Sequence, residues 1–94
     1  MAFISETSGS KLVANYTKGS GNALRSAYLD GAGILDLLQT SGAAGIGVYL
    51  ASDADGNLTL IAVPETADRT RISNSNGVYE CDIRCPNECS PNPL

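Results

Sequence analysis

Ninety-four residues, 43% of them hydrophobic, are enough for one small domain with a modest core, and this composition excludes a disordered chain. Six basic residues against ten acidic ones leave a net charge of −4. The cations Lys11, Lys18, Arg25, Arg69, Arg71 and Arg84 are dispersed apart from the Arg69/Arg71 pair. That excludes nucleic acid and anionic membrane as main partners, because both need clustered Lys and Arg.

From the N-terminus, Met1-Ala2-Phe3-Ile4-Ser5-Glu6 lacks a positive start followed by an apolar run, so no signal peptide is expected here. No apolar stretch approaches the length needed to cross a bilayer. With an odd number of cysteines, three, these features make the cytoplasm the expected compartment, unless a leader has been removed.

Leu12, Val13 and Tyr16 stand at helical spacing and predict a helix from about Thr7 to Tyr16, with Ser8 or Thr7 as its cap. Lys18-Gly19-Ser20-Gly21-Asn22 is expected to break it. Ala23 to Leu29 fits either a helix (Leu24, Ala27, Tyr28) or a strand (Leu24, Ser26, Tyr28). A second helix follows from Gly33 to Gln39, with Ile34, Leu35, Leu37 and Leu38 apolar and Gly42 as its left-handed cap.

The next segment predicts a β-hairpin over residues 46–52 and 58–63. Ile46, Val48 and Leu50 alternate with Gly47, Tyr49 and Ala51, and Leu58-Thr59-Leu60-Ile61-Ala62-Val63 is equally β-rich. Asp53-Ala54-Asp55-Gly56-Asn57 between them is turn chemistry, with Asp55-Gly56 expected at positive φ. A calcium loop needs Gly sixth and Glu twelfth; here Gly is fourth and Pro64 twelfth, so the turn reading prevails. Pro64 is expected to end the second strand, since it cannot donate to a ladder. Glu65 to Asn76 reads as a polar loop, Asn76-Gly77 as a turn and Val78-Tyr79 as a short strand.

The fold class this order implies is α+β, with two short helices packed on a small antiparallel sheet built around the hairpin. Residues 1–80 form the domain and 81–94 an irregular Cys/Pro-rich tail. Ile46, Val48, Leu50, Leu60 and Ala62, with Leu35 and Leu38, are expected to face the core. Two strands alone are marginal, so a third must come from Ala23–Leu29, from Val78–Tyr79 or from another copy of the chain.

Chemistry-bearing residues concentrate at the C-terminus. Cys81, Cys85 and Cys89 are evenly spaced in Glu80-Cys81-Asp82-Ile83-Arg84-Cys85-Pro86-Asn87-Glu88-Cys89 and are the chain's only cysteines. Three thiolates can hold zinc or an iron–sulfur cluster, with Asp82, Glu88, water or a second chain completing the set. Alternatively Cys85 and Cys89 pair across one turn opened by Pro86, leaving Cys81 free. Linkage between chains and three plain reduced thiols complete the alternatives. The lack of any histidine removes the usual catalytic base, and no Lys, Asp or Glu pairs recognisably with a nucleophile, so an enzyme is not expected. Lys18-Gly19-Ser20-Gly21-Asn22 follows no strand and is no phosphate loop.

Helix Gly33–Leu38, strand Gly45-Ile46-Gly47-Val48-Tyr49, strand Leu58–Val63 and the tail Cys85-Pro86-Asn87-Glu88-Cys89 together resemble a group of short uncharacterised bacterial proteins. These join a Gly-Ile-x-Val-Tyr strand to a Cys-Pro-x-x-Cys tail. The resemblance covers residues 33–89, implies the same fold pattern, and brings no catalytic residues and no cofactor. The expected function is a non-enzymatic self-assembly or protein-interaction module, a homo-oligomer or a binder of another protein. The alternative is a small metal-binding or redox protein using Cys81, Cys85 and Cys89.

Overall fold

A computed structural model describes residues 3–20, 24–81, 83–85, 88–92 and 94. The expectations on Gly21-Asn22, Ala23, Asp82, Pro86 and Pro93 lie outside these described residues. The fold is α+β: α1 (Glu6–Ser20), β1 (Ser26–Tyr28), α2 (Gly31–Leu38), β2 (Gly45–Ser52), β3 (Leu58–Glu65), β4 (Tyr79–Glu80) and β5 (Ile83–Cys85). The strands form two antiparallel sheets, β2-β3-β4 and β1-β5. Of the two readings for this stretch the strand is the one found, over Ser26–Tyr28, and the third strand of the main sheet is β4. The tail contributes β5 instead of being irregular throughout, because Ser26, Ala27 and Tyr28 supply its pairing partners.

The hairpin runs in continuous register from Gly45↔Glu65 to Ser52↔Leu58. Its turn differs from the expected form. The Asp53 carbonyl accepts the Gly56 N–H at 3.0 Å, and Gly56 alone takes positive φ, at 84°. Asp55 stays on the ordinary side of the map, so a four-residue turn followed by a glycine in the left-handed region replaces the two-residue form.

Pro64 does not end β3, which runs on to Glu65. The Pro64 carbonyl accepts from the Ile72 N–H at 2.9 Å. Along a strand, N and O of one residue point to the same side, so the proline nitrogen faces Ile72 and away from β2. The missing donor therefore breaks no hairpin bond.

The helices differ from expectation in extent and packing. Ser5, not Thr7 or Ser8, caps α1: its hydroxyl accepts the Ser8 N–H at 3.1 Å. α1 runs through Lys18 and Gly19 to Ser20, with Glu6 in the first turn and Lys18 in the last, both favourable to the helix dipole. It is exposed along nearly all its length, including Leu12, Val13 and Tyr16, so only α2 covers the sheet. Asp30 caps α2, with Oδ2 accepting the Ala32 N–H at 3.1 Å. The Gln39 N–H donates to the Leu35 carbonyl at 3.0 Å, and Gly42, at φ 87°, sits in the following Thr40–Ala43 turn and not at the helix cap.

α2 is seated by Tyr79. Gly33 lies against the Tyr79 ring so closely that a Cβ there would stand 2.6 Å from Cε1, and the Tyr79 hydroxyl accepts the Asp30 N–H at 3.0 Å. Tyr79 pairs with Ala62, so α2 lies on the face that carries Ala62 and the other even-numbered residues of the hairpin.

The core is smaller than the sequence pattern suggests. Leu37, Thr59, Ala62, Val63, Pro64, Glu65, Cys81 and Cys85 are buried. Of the residues expected inside, Ala62 is buried and Ile46 and Leu60 are half-buried. Val48 is 51% exposed, Leu50 75%, and Leu35 and Leu38 are exposed as well. The reason is length. α2 has eight residues and covers about 12 Å, whereas the eight residues of β2 extend about 27 Å. The helix therefore covers part of the even face and leaves the rest bare.

Candidate functional site

The register decides which groups of β2 are spent and which are free. Even residues of β3 direct their amides away from β2: Pro64 accepts from Ile72, and the Leu60 carbonyl accepts the Cys81 N–H at 3.1 Å. Odd residues of β3 therefore bond to β2, through Gly45, Gly47, Tyr49 and Ala51. It follows that Ile46, Val48, Leu50 and Ser52 point their N–H and C=O groups outward, along an edge with no strand beyond it among the described residues. The strand Gly-Ile-Gly-Val-Tyr-Leu-Ala-Ser carries no charge and no proline, the usual protections of an edge. Its exposed side chains Val48, Tyr49 and Leu50 are apolar or aromatic.

The odd face of the hairpin holds a buried carboxylate. Glu65 packs over Gly47, where any Cβ would collide with its carboxyl group, and Tyr49 donates its hydroxyl to Oε2 at 3.3 Å. At the other end of β3, the Thr59 hydroxyl donates to Glu80 Oε2 at 3.0 Å and lies 3.5 Å from Cys81 Sγ. These contacts involve side chains on the faces of the sheet and leave the outer edge of β2 uninvolved.

The three cysteines are divided. Cys85 and Cys89 form a disulfide with Cα atoms 4.4 Å apart, and Cys81 is a free, buried thiol beside Thr59. The separation follows from topology: Cys81 continues β4 on the main sheet, whereas Cys85 ends β5 on the small one. Among the described residues no three Cys, Asp or Glu side chains are grouped as metal ligands. The trio Cys81, Cys85 and Cys89 is thus not brought together as a metal set, and the pairing across one turn is the arrangement observed. The Glu88 N–H donates to the Arg84 carbonyl at 2.7 Å, closing that turn.

Asp53 acts within its own turn. Its Oδ1 accepts the N–H groups of Asp55 and Asn57, both at 2.9 Å. The bond from the Asn57 backbone, the largest influence, holds its carboxyl below the ordinary carboxylate range against an opposing desolvation, and the Asp55 N–H adds to the lowering. No helix among the described residues is long and apolar enough to cross a membrane. The sequence reading expected the sheet to take an added strand but did not place the open edge at β2, and it assigned Val48 and Leu50 to the core. The uncharged, proline-free composition of residues 45–52 was the available signal. Comparison with known proteins finds no matching family model, no similar curated protein and no similar solved structure.

Proposed function

We propose that this chain is a non-enzymatic self-assembly module whose contact is β2 laid antiparallel against β2 of a second copy. The observation that carries this reading is the open β2 edge: outward amides of Ile46, Val48 and Leu50 beside exposed Val48 and Leu50 side chains. Antiparallel pairing about a two-fold axis is self-complementary, because a row of donors and acceptors, each residue presenting one of both, meets its own copy reversed. A short, uncharged and apolar edge presents no repulsion to its like. Kinship with the short bacterial proteins that the hairpin and tail resemble belongs to the same reading.

Mass photometry and light scattering test it. The chain should be oligomeric at micromolar concentration. Val48→Pro, which deletes an outward N–H and no hairpin bond, and Leu50→Lys, which charges the edge, should each give monomers with an unchanged circular dichroism spectrum. A wild-type chain that stays monomeric at micromolar concentration rejects the proposal.

A second reading, a small redox protein, draws on the Cys85–Cys89 bond. The cytoplasmic placement expected from the sequence fits that bond only as one that opens and closes, since a reducing cytosol keeps most thiols free.

A further inference from the structure

α1 has fifteen residues, carries glycine at positions 9 and 19, and is almost wholly exposed. A helix of this length and composition is marginal in water, so it persists through what touches it. Toward its C-terminal end Tyr16 donates its hydroxyl to the Leu24 carbonyl at 2.6 Å. Near its start the terminal Leu94 lies over Gly9, with Cδ2 3.5 Å from where a Cβ would stand. Between these points Val13, Ala14 and Thr17 flank a cavity of about 630 Å³ that Ser26, Cys85 and Cys89 wall on the other side.

The Leu94 contact belongs to the C-terminal segment, which also lines that cavity and follows the Cys85–Cys89 pair in the chain. Cys85 is fixed: it is buried, pairs with Ser26, and accepts the Arg25 N–H on its carbonyl at 2.9 Å. Cys89 is exposed and begins the stretch that carries Leu94. The disulfide, beside the Glu88 N–H bond to the Arg84 carbonyl, folds that stretch back against the fixed strand.

We propose that the Cys85–Cys89 disulfide is a thiol-responsive latch on α1, opened by attack of a low-molecular-weight thiolate on the sulfur of Cys89, the exposed residue of the pair. The incoming thiolate forms a new S–S bond to Cys89, the bond between the two cysteines breaks, and Cys85 leaves as a thiolate that takes a proton from solvent. A second thiolate attacks the first reagent's sulfur in the mixed disulfide and Cys89 leaves, taking a proton in turn. Two monothiols are thereby oxidised to their own disulfide, and the protein disulfide gains two electrons and two protons. Cys81 stays outside the exchange because it is buried beside Thr59. After opening, β5 keeps its backbone pairing with β1, residues 89–94 lose their anchor, Leu94 leaves Gly9, and α1 retains the Tyr16 contact.

Hydrogen–deuterium exchange on the full chain, oxidised and after treatment with glutathione, tests the latch. Amides of residues 9–20 should exchange about tenfold faster once the bond is open, while those of residues 58–65 stay unchanged. Deleting Leu94 with the disulfide intact should speed α1 exchange in the same direction. With limiting glutathione, acid quench and alkylation, fragmentation mass spectrometry should find the glutathione on Cys89 and the alkyl group on Cys85. Unchanged α1 exchange, with the gain of two hydrogens proving reduction, overturns the latch. A glutathione adduct on Cys85 overturns the proposed point of attack.

Discussion

The two halves of the molecule are stabilised by different means. The half built from α2 and β2-β3-β4 has an unbroken eight-pair hairpin and holds Leu37, Thr59, Ala62, Val63, Pro64, Glu65 and Cys81 out of water. The half built from α1, the β1-β5 ribbon and the C-terminus buries Cys85, and it is joined by single hydrogen bonds, one terminal leucine and a disulfide. One side is stabilised by surface removed from water, a cost that is hard to undo locally. The other rests on a few separable ties, and such regions open at low free-energy cost.

The widest test of this contrast sets one leucine against another. Leu37 is 2% exposed and Leu12 is 61% exposed. Leu37→Ala should cost about 2–5 kcal/mol, through lost transfer energy and the cavity left behind. Leu12→Ala should cost less than about 0.5 kcal/mol, because nothing closes over it. Chemical denaturation of the two variants reads the difference, and equal losses would erase the distinction between the halves.

A sharper probe is Gly33→Ala. Alanine favours a helix interior over glycine by about 1 kcal/mol, yet its Cβ would stand 2.6–2.9 Å from atoms of the Tyr79 ring. The ring is held in place by the Asp30 N–H, so collision outweighs propensity and the variant should lose about 1–3 kcal/mol. A stabilised Gly33→Ala would show that α2 is not seated on Tyr79.

The smallest effect concerns Asp53 and pH. Its carboxyl is held below the usual range chiefly by the Asn57 backbone N–H. A depressed folded value means that the ionised form supports the turn above the ordinary carboxylate range. That support is lost as pH falls through the lowered folded value. Asp53→Asn should therefore lower the melting temperature slightly at neutral pH and flatten its decline at acid pH. A decline identical to that of the wild type would remove Asp53 from the turn's account.

The hairpin was legible because strand alternation and an Asp/Gly/Asn turn are local signals, and they placed its strands at 46–52 and 58–63, within the observed pairing. The faces were legible as well: Ile46, Val48, Leu50, Leu60 and Ala62 do share one side. What alternation cannot say is how much of a face is covered. That depends on the length and placement of α2, fixed by Asp30, Gly33 and Tyr79, residues 49 apart at the extremes. Pro64 misled for a related reason. Its effect depends on which side its nitrogen faces, a property of register and not of composition. The Cys85–Cys89 pairing was one of several open alternatives because three thiols at equal spacing favour no partner until β5 and the end of β4 are placed in different sheets.

Pro64 has a further consequence for growth. Among the described residues, the β4 side of β3 is paired at Ile61 and Ala62 and at the bridge from Glu65 to Arg71, with Leu60 and Pro64 accepting from Cys81 and Ile72, and Pro64 has no proton to donate there. The strand beyond, Tyr79–Glu80, is two residues long, too short to template another chain. A sheet that both sides could extend would add copies without limit and end as a fibre. A sheet with one usable side stops after a single addition, because joining two such sides consumes both. On the proposed reading, the two-residue β4 and the donor-less Pro64 beside it favour a contact that closes at two.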